Sequence, residues 1–132
     1  KEAGARIVGT GRSDFPNQIN NSLGFPGIFR GVLDVFARTI TDEMAIAAAE
    51  AIAKTAEEKG LHEDYIVPTM EEWEVFVNEA VAVAKKAIEQ GVARRILSDS
   101  ELEAQAERMI RRAREEVQTL MKAGLIPPLP KV

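Results

Sequence analysis

The sequence has no cysteine. That excludes disulfides, thiolate nucleophiles, thiolate-bound zinc and iron–sulfur clusters, and it fits a reducing compartment. A single histidine, His62, leaves no histidine cluster for a metal. Positive charge is not in excess: 17 Lys and Arg stand against 21 Asp and Glu, a formal net charge of -4. Such a balance builds no attractive field for phosphate backbones, so no nucleic acid is expected as a partner. No stretch approaches the roughly 18 apolar residues of a membrane span, and no basic segment leads into a long apolar run, so no membrane is expected either. The expectation is a soluble, intracellular chain. Gly9, Gly11 and Gly24 do not form a Gly-x-Gly-x-x-Gly loop, and no Walker-type run occurs. Serines 13, 22, 98 and 100 have no histidine placed to activate them, and they read as turn or cap residues.

What is present suits one folded domain. In 132 residues, 45% are hydrophobic and 29% charged, near the average for globular chains. The chain opens Lys1-Glu2-Ala3-Gly4 without a methionine, and Glu2-Ala3-Gly4 reads as a last helical turn closed by glycine. A segment of a larger protein is expected; a processed terminus is the alternative.

Ile7-Val8-Gly9-Thr10-Gly11 is a short β-branched run ending in glycine, the pattern of a buried parallel strand that opens into a loop. Its sheet would lie mostly upstream. Residues 12–22 are polar and amide-rich, a loop where open α/β sheets place ligands. Pro26 then opens a helix whose apolar residues 28, 29, 32, 33, 35 and 36 recur at helical spacing. Glycines 24, 27 and 31 in or beside it imply close approach to another backbone or to a ligand. Thr41 caps a helix that runs through the alanine-rich stretch from Met44 to Lys59, stopped by Gly60. Thr69 is expected to cap a helix over 70–90, ended by Gly91, with Trp73, Phe76, Val77, Ala80, Val81, Ala84 and Ile88 on one face. Ser98-Asp99-Ser100-Glu101 begins the last helix, which runs over about 101–123, with an apolar stripe at Leu102, Ala106, Met109, Ile110, Ala113, Val117, Leu120 and Met121; Gly124, Pro127, Pro128 and Pro130 end it.

The concentrated polar signal is Asn17, Gln18, Asn20 and Asn21. Neutral amides donate and accept at once, so they can hold a hydroxy-acid carboxylate or a nicotinamide carboxamide, but they cannot remove a proton. The same amides serve equally as turn and cap residues. Arg12, Asp14 and Arg30 fit a salt bridge, a ligand contact or solvated surface alike.

The block from Glu2 to Asp34, with Gly9-Thr10-Gly11-Arg12-Ser13-Asp14-Phe15-Pro16-Asn17-Gln18-Ile19-Asn20-Asn21 and Gly24-Phe25-Pro26-Gly27-Ile28-Phe29-Arg30-Gly31, closely resembles the small prokaryotic malic enzymes, the NAD-preferring malate oxidoreductases. The likeness continues through residues 40–59, Tyr65-Ile66-Val67-Pro68 and Gly91-Val92-Ala93-Arg94. It fades over the last helix.

The resemblance implies an α/β fold class: residues 1–38 as the C-terminal remnant of a Rossmann-like NAD-binding domain, and residues 39–132 as long, mainly packed helices lying on a missing N-terminal part. It implies oxidative decarboxylation of (S)-malate to pyruvate and CO2 with NAD, NADP not being excluded, and with Mg²⁺ or Mn²⁺ bound upstream. Asn20 and Asn21 become substrate-binding residues, and Gly9, Thr10, Gly11 and Asn20 cofactor-binding ones. In the family the general-acid tyrosine, general-base lysine and metal carboxylates lie nearer the N-terminus. No catalytic residue or metal ligand is therefore assigned within the chain, and the segment alone is expected to be inactive. Malate or pyruvate, the remainder of the chain and a second subunit, in a homodimer or dimer-based oligomer, are the implied partners, and the cytoplasm the implied location. A non-catalytic helical interaction or assembly module is the alternative, for which the amphipathic helices suffice.

Overall fold

The computed structural model describes residues 2–127, so the expected terminators Pro128 and Pro130 lie outside the described residues. A 3₁₀ turn over Asn21–Leu23 leads into four helices: α1 (Phe25–Asp34), α2 (Asp42–Lys59), α3 (Glu74–Glu89) and α4 (Asp99–Lys122). Among the described residues there is no β-strand. The expected α/β class is thereby corrected to an all-helical one. Ile7 and Val8 are 47% and 42% exposed and enter no β-pairing among the described residues, and the stretch contributes only an isolated bridge between Thr10 and Gln18. A β-branched run becomes a strand when a neighbouring backbone takes up its amides and carbonyls, and here the loop folds back on Thr10 alone.

The two expected caps at Thr41 and Ser98 form. Thr41 Oγ1 accepts from the Met44 amide at 3.2 Å, and Ser98 with Glu101 makes a full capping box. Helix α4 therefore starts at Asp99, two residues earlier than expected. Glycine stops follow α2 at Gly60 (φ 97°) and α3 at Gly91 (φ 68°), where a side chain would be strained. The third cap does not form. The Thr69 amide donates to Glu72 Oε1 at 2.7 Å, but no hydroxyl bond answers it; residues 69–73 run as tight turns, and α3 begins at Glu74.

Helix α3 is the axis of the molecule, with α1, α2 and α4 all packed on it. Its Val75, Phe76, Val77, Ala80, Val83, Ala84 and Ala87 are buried, a wider apolar surface than one face. Val83, Ala84 and Ala87 meet Val35, Met44, Ala48 and Leu102 in the largest core cluster. Val75 and Phe76 meet Leu23, which ties the 3₁₀ turn to the core. The small side chains of α2 and α3 let their backbones come close. The apolar stripe of α4 is divided: Leu102 and Ala106 are buried on α3, whereas Val117, Leu120 and Met121 are 50%, 40% and 45% exposed.

The glycines of α1 answer the close approach of α3, Gly27 its Glu79 side chain and Gly31 its backbone, and no ligand is required to explain them. A Cβ at Gly31 would sit inside contact distance of the Ala80 carbonyl oxygen and 2.9 Å from Val83 Cβ. Neither neighbour is the movable tip of a flexible side chain. Asp34, buried at the far end of α1, accepts from Gln105 Nε2 at 2.7 Å and pairs with Arg30, fastening α1 to α4. Gly31→Ala is expected to destabilise the fold by about 1–3 kcal/mol through overpacking, although alanine is the better helix former. A lowered thermal midpoint by circular dichroism checks this; an unchanged or raised midpoint refutes the close approach.

Candidate functional site

The loop before α1 is built on Asn17, which is 5% exposed and takes a left-handed backbone (φ 55°). Its Nδ2 donates to the carbonyls of Val8 (3.0 Å) and Glu63 (2.8 Å), and its Oδ1 accepts from the Ile66 amide (2.9 Å). One amide thus pins the loop to the connector between α2 and α3. Every polar atom of that side chain is engaged, so Asn17 is a structural clamp.

Asn20 and Asn21 are exposed, and they differ in what they do. Asn20 Oδ1 caps the 3₁₀ turn by accepting from the Ser22 amide (3.0 Å), and its Nδ2 donates to the Gly11 carbonyl (3.1 Å). Both ends of its side chain are used locally. Asn21 makes no side-chain hydrogen bond among the described residues; its backbone carbonyl accepts from the Gly24 amide at 3.1 Å. Asn20 is therefore the holder and Asn21 the amide presented outward.

Gly9, Thr10 and Gly11 lie across from this pair. The Thr10 amide donates to the Asn17 carbonyl (3.1 Å), and the Ile19 amide donates to the Thr10 carbonyl (2.8 Å). A Cβ at Gly9 would collide with Ile19, whereas at Gly11 it would meet only ordinary contacts with Asn20 and Ile19. Gly9 is where the Ile19 side chain rests on the loop, and Gly11 leaves its outer side open. A cavity of about 430 Å³ beside Thr10 is lined by Val8, Thr10, Arg12, Phe15, Pro16 and Asp64. Arg12 donates to Asp14 (Nε to Oδ1, 2.8 Å) and lies over the Phe15 ring. Of the readings open for Arg12 and Asp14, the salt bridge is the one that forms; Arg30 pairs with Asp34 instead.

Sequence reading missed the cluster Lys59–Tyr65–Glu72, which ties the end of α2 to the connector. Glu72 accepts from Lys59 and from the Tyr65 hydroxyl (2.9 Å), as well as from the Thr69 amide. Burial pushes its carboxyl up, and Lys59, Thr69 and Tyr65 together outweigh that and hold its pKa down to about 2. Desolvation, then the bond to Glu72, pushes the Tyr65 hydroxyl up. These groups satisfy one another and leave none free for proton transfer. The larger cavity, about 490 Å³, lies apart from the loop, between α2 and α4 over α3, where Lys85 pairs with Asp99. Among the described residues no three His, Cys, Asp or Glu side chains gather to hold a metal ion.

A loop-and-helix unit of this kind has known counterparts. Residues 5–88 match the sequence profile of the family described as malic enzyme, NAD binding domain. The chain belongs to the malic enzyme family. It is 60% identical over 94 residues to the bifunctional malic/malolactic enzyme of Bacillus subtilis, covering 71% of this chain and 23% of that protein. It is 48% identical over 107 residues to the NADP-dependent malic enzyme of Rhizobium meliloti, covering 70% of this chain and 14% of the relative. The crystal structure of the Entamoeba histolytica malic enzyme superposes with a TM-score of 0.94 at 52% identity, over 98% of this chain and 27% of that one. The matched part is thus about a quarter or less of these family members. The coverage of the E. histolytica structure extends the likeness over α4, where the sequence resemblance fades.

Glu72 carries a testable consequence. Because its folded pKa lies below the ordinary value of 4.5, its contribution to stability is present above about pH 4.5 and lost as pH falls toward 2. Glu72→Gln is expected to cost roughly 1–3 kcal/mol at pH 7, with the gap to the parent chain closing by about pH 2. Urea unfolding followed by Trp73 fluorescence measures both; a gap that stays constant with pH would contradict the assignment.

Proposed function

We propose that the chain is the C-terminal segment of a malic enzyme that oxidises (S)-malate and decarboxylates it to pyruvate and CO2 with NAD and a divalent cation. What supports the reading is the family membership together with one geometric fact, the outward-facing Asn21 amide held at the loop mouth by an Asn20 whose own side chain is fully engaged. The B. subtilis relative carries malic enzyme activity in its name. In this reading residues 1–38 carry the site, residues 39–132 support it, and the protein works in the cytoplasm.

Asn20 and Asn21 are assigned to the substrate side. An amide suits a dicarboxylate because its N–H donates to a carboxylate or hydroxyl oxygen without adding a charge beside the reacting carbon. Gly9, Thr10, Gly11 and Asn20 are assigned to the cofactor side, where the open outer side of Gly11 and the cavity beside Thr10 leave room for a nicotinamide dinucleotide. When bound, that group accepts the hydride that leaves C2 of malate. The chain's own part is orientation: Asn20 ties the 3₁₀ turn to Gly11, so the substrate amide and the cofactor-side backbone are held in one piece. NAD is proposed over NADP from the family resemblance, although the R. meliloti relative is NADP-dependent. From the family resemblance, the cation and the general acid and base are assigned to the rest of the protein. A homodimer or dimer-based oligomer is proposed with them, and the exposed half of the α4 stripe offers apolar surface for such contacts.

Two experiments test this. The isolated 132-residue chain is expected to give no malate-dependent reduction of NAD; a rate comparable to that of a complete malic enzyme defeats the segment reading. In the complete protein, Asn21→Ala removes a donor and an acceptor, and Asn21→Asp places a negative charge beside a dicarboxylate. Both should lower kcat/KM by about ten-fold to a hundred-fold, the aspartate at least as much as the alanine, with the fold intact. Values for both within about two-fold of the parent would leave Asn21 a turn residue.

A further inference from the structure

Glu79 of α3 is fully buried, and its carboxyl oxygens have no hydrogen-bond partner among the described residues. A carboxyl in that position is costly and packs worse than a hydrophobic residue of similar volume. The first turn of α1 is nevertheless shaped around it. A Cβ at Gly27 would overlap the Glu79 carboxyl and its Cβ, and a Cβ at Gly24 would lie 3.7 Å from Oε1 and 3.9 Å from the Asn21 carbonyl oxygen. Gly24 therefore lies close to both the buried carboxyl and the Asn21 backbone carbonyl. The Gly24 amide donates to the Asn21 carbonyl, and the Leu23 amide donates to the Asn20 carbonyl (3.0 Å), so residues 20–28 form one hydrogen-bonded unit resting on Glu79.

We propose that Glu79 is a positioning residue for the Asn20–Asn21 loop: its buried carboxyl group is the support on which the first turn of α1, and through Gly24 the loop, is seated. The functional half of this rests on the reading that Asn20 and Asn21 hold substrate. Burial pushes the Glu79 pKa up to about 8, while the amides of Gly27 and Ile28, which face it short of hydrogen-bond geometry, pull it down. No charged side chain offsets the burial. On the packed helices Arg30 pairs with Asp34 (α1), Lys54 with Glu58 (α2), and Lys85 (α3) with Asp99 (α4), and none of them enters the balance at Glu79. Neutral below about pH 8, the group seats the turn; ionised above it, the group demands solvent or donors and unseats it.

The test uses the complete protein that carries this chain, as wild type, Glu79→Gln and Glu79→Ala, from pH 6.5 to 9. The first readout is hydrogen exchange of peptides covering 20–28, corrected for intrinsic chemistry, with peptides from α4 as the control; the second is kcat and KM for malate. Wild-type exchange over 20–28 should rise about five-fold or more as pH passes 8, Glu79→Gln should stay at the low-pH value throughout, and Glu79→Ala should be fast at every pH. The malate KM should follow the same pattern, with kcat changed by less than about two-fold. The proposal is overturned if Glu79→Gln keeps the wild-type pH profile, if neither variant alters exchange over 20–28, or if KM moves while exchange does not. Exchange behaving as expected with no effect on malate turnover upholds Glu79 as the support and refutes the substrate role of the loop.

Discussion

The backbone of α1 lies directly on α3 because positions 27 and 31 carry no side chain, and the rest of the molecule depends on that approach. Glycine inside a helix costs about 1 kcal/mol relative to alanine. At Gly31 the cost is offset because the Ala80 carbonyl and Val83 occupy the space a Cβ would take. The contact sets the height of α1 over α3, and with it the height of the 3₁₀ turn, whose Leu23 packs with Val75 and Phe76 in the core. Helix α2 closes on another side of α3, and Asp34 ties the end of α1 to Gln105 of α4.

This frame carries the polar loop without burying it. Asn17 fastens the loop to residues 63–66 through two hydrogen bonds and to Val8 through a third, and Asn20 ties Gly11 to the 3₁₀ turn through two more. The amide-rich stretch thus separates into roles by burial. One amide is a clamp inside the protein, one is a local cap, and one is left facing outward. A binding residue on a loop must be held by neighbours that are not themselves needed for binding, and here Asn17 and Asn20 hold while Asn21 is presented.

The exposed apolar side chains are not scattered. Phe25, Phe29 and Leu33 of α1, and Phe36 just past its end, are more than half exposed, with the first two rings in contact. Val117, Leu120, Met121 and Leu125 continue the α4 stripe past the end of its packing on α3. Such patches are uncommon on the free surface of a monomer, and they accord with a chain that matches about a quarter of the length of the E. histolytica enzyme.

The sequence by itself determined what depends on neighbours three or four residues away. The caps at Thr41 and Ser98, the glycine stops at 60 and 91, the existence of all four helices and the family all followed from local pattern and motif, because a cap or a helical turn closes its hydrogen bonds within a few residues. Tertiary structure decided whatever needed a partner distant in the chain. Ile7 and Val8 have strand-forming side chains and no strand, since pairing is a property of two segments. Helix α3 starts late: Glu72 accepts from the Thr69 amide through one oxygen and from Lys59 and Tyr65 across the connector through the other, but the Thr69 hydroxyl makes no bond in return among the described residues. The glycines of α1 announced a close approach, and only the packed helices identified α3 as its object. Glu79, one acid among many in an acidic sequence, became distinctive when the fold removed it from water, since burial is a property of the assembled molecule that no local pattern records.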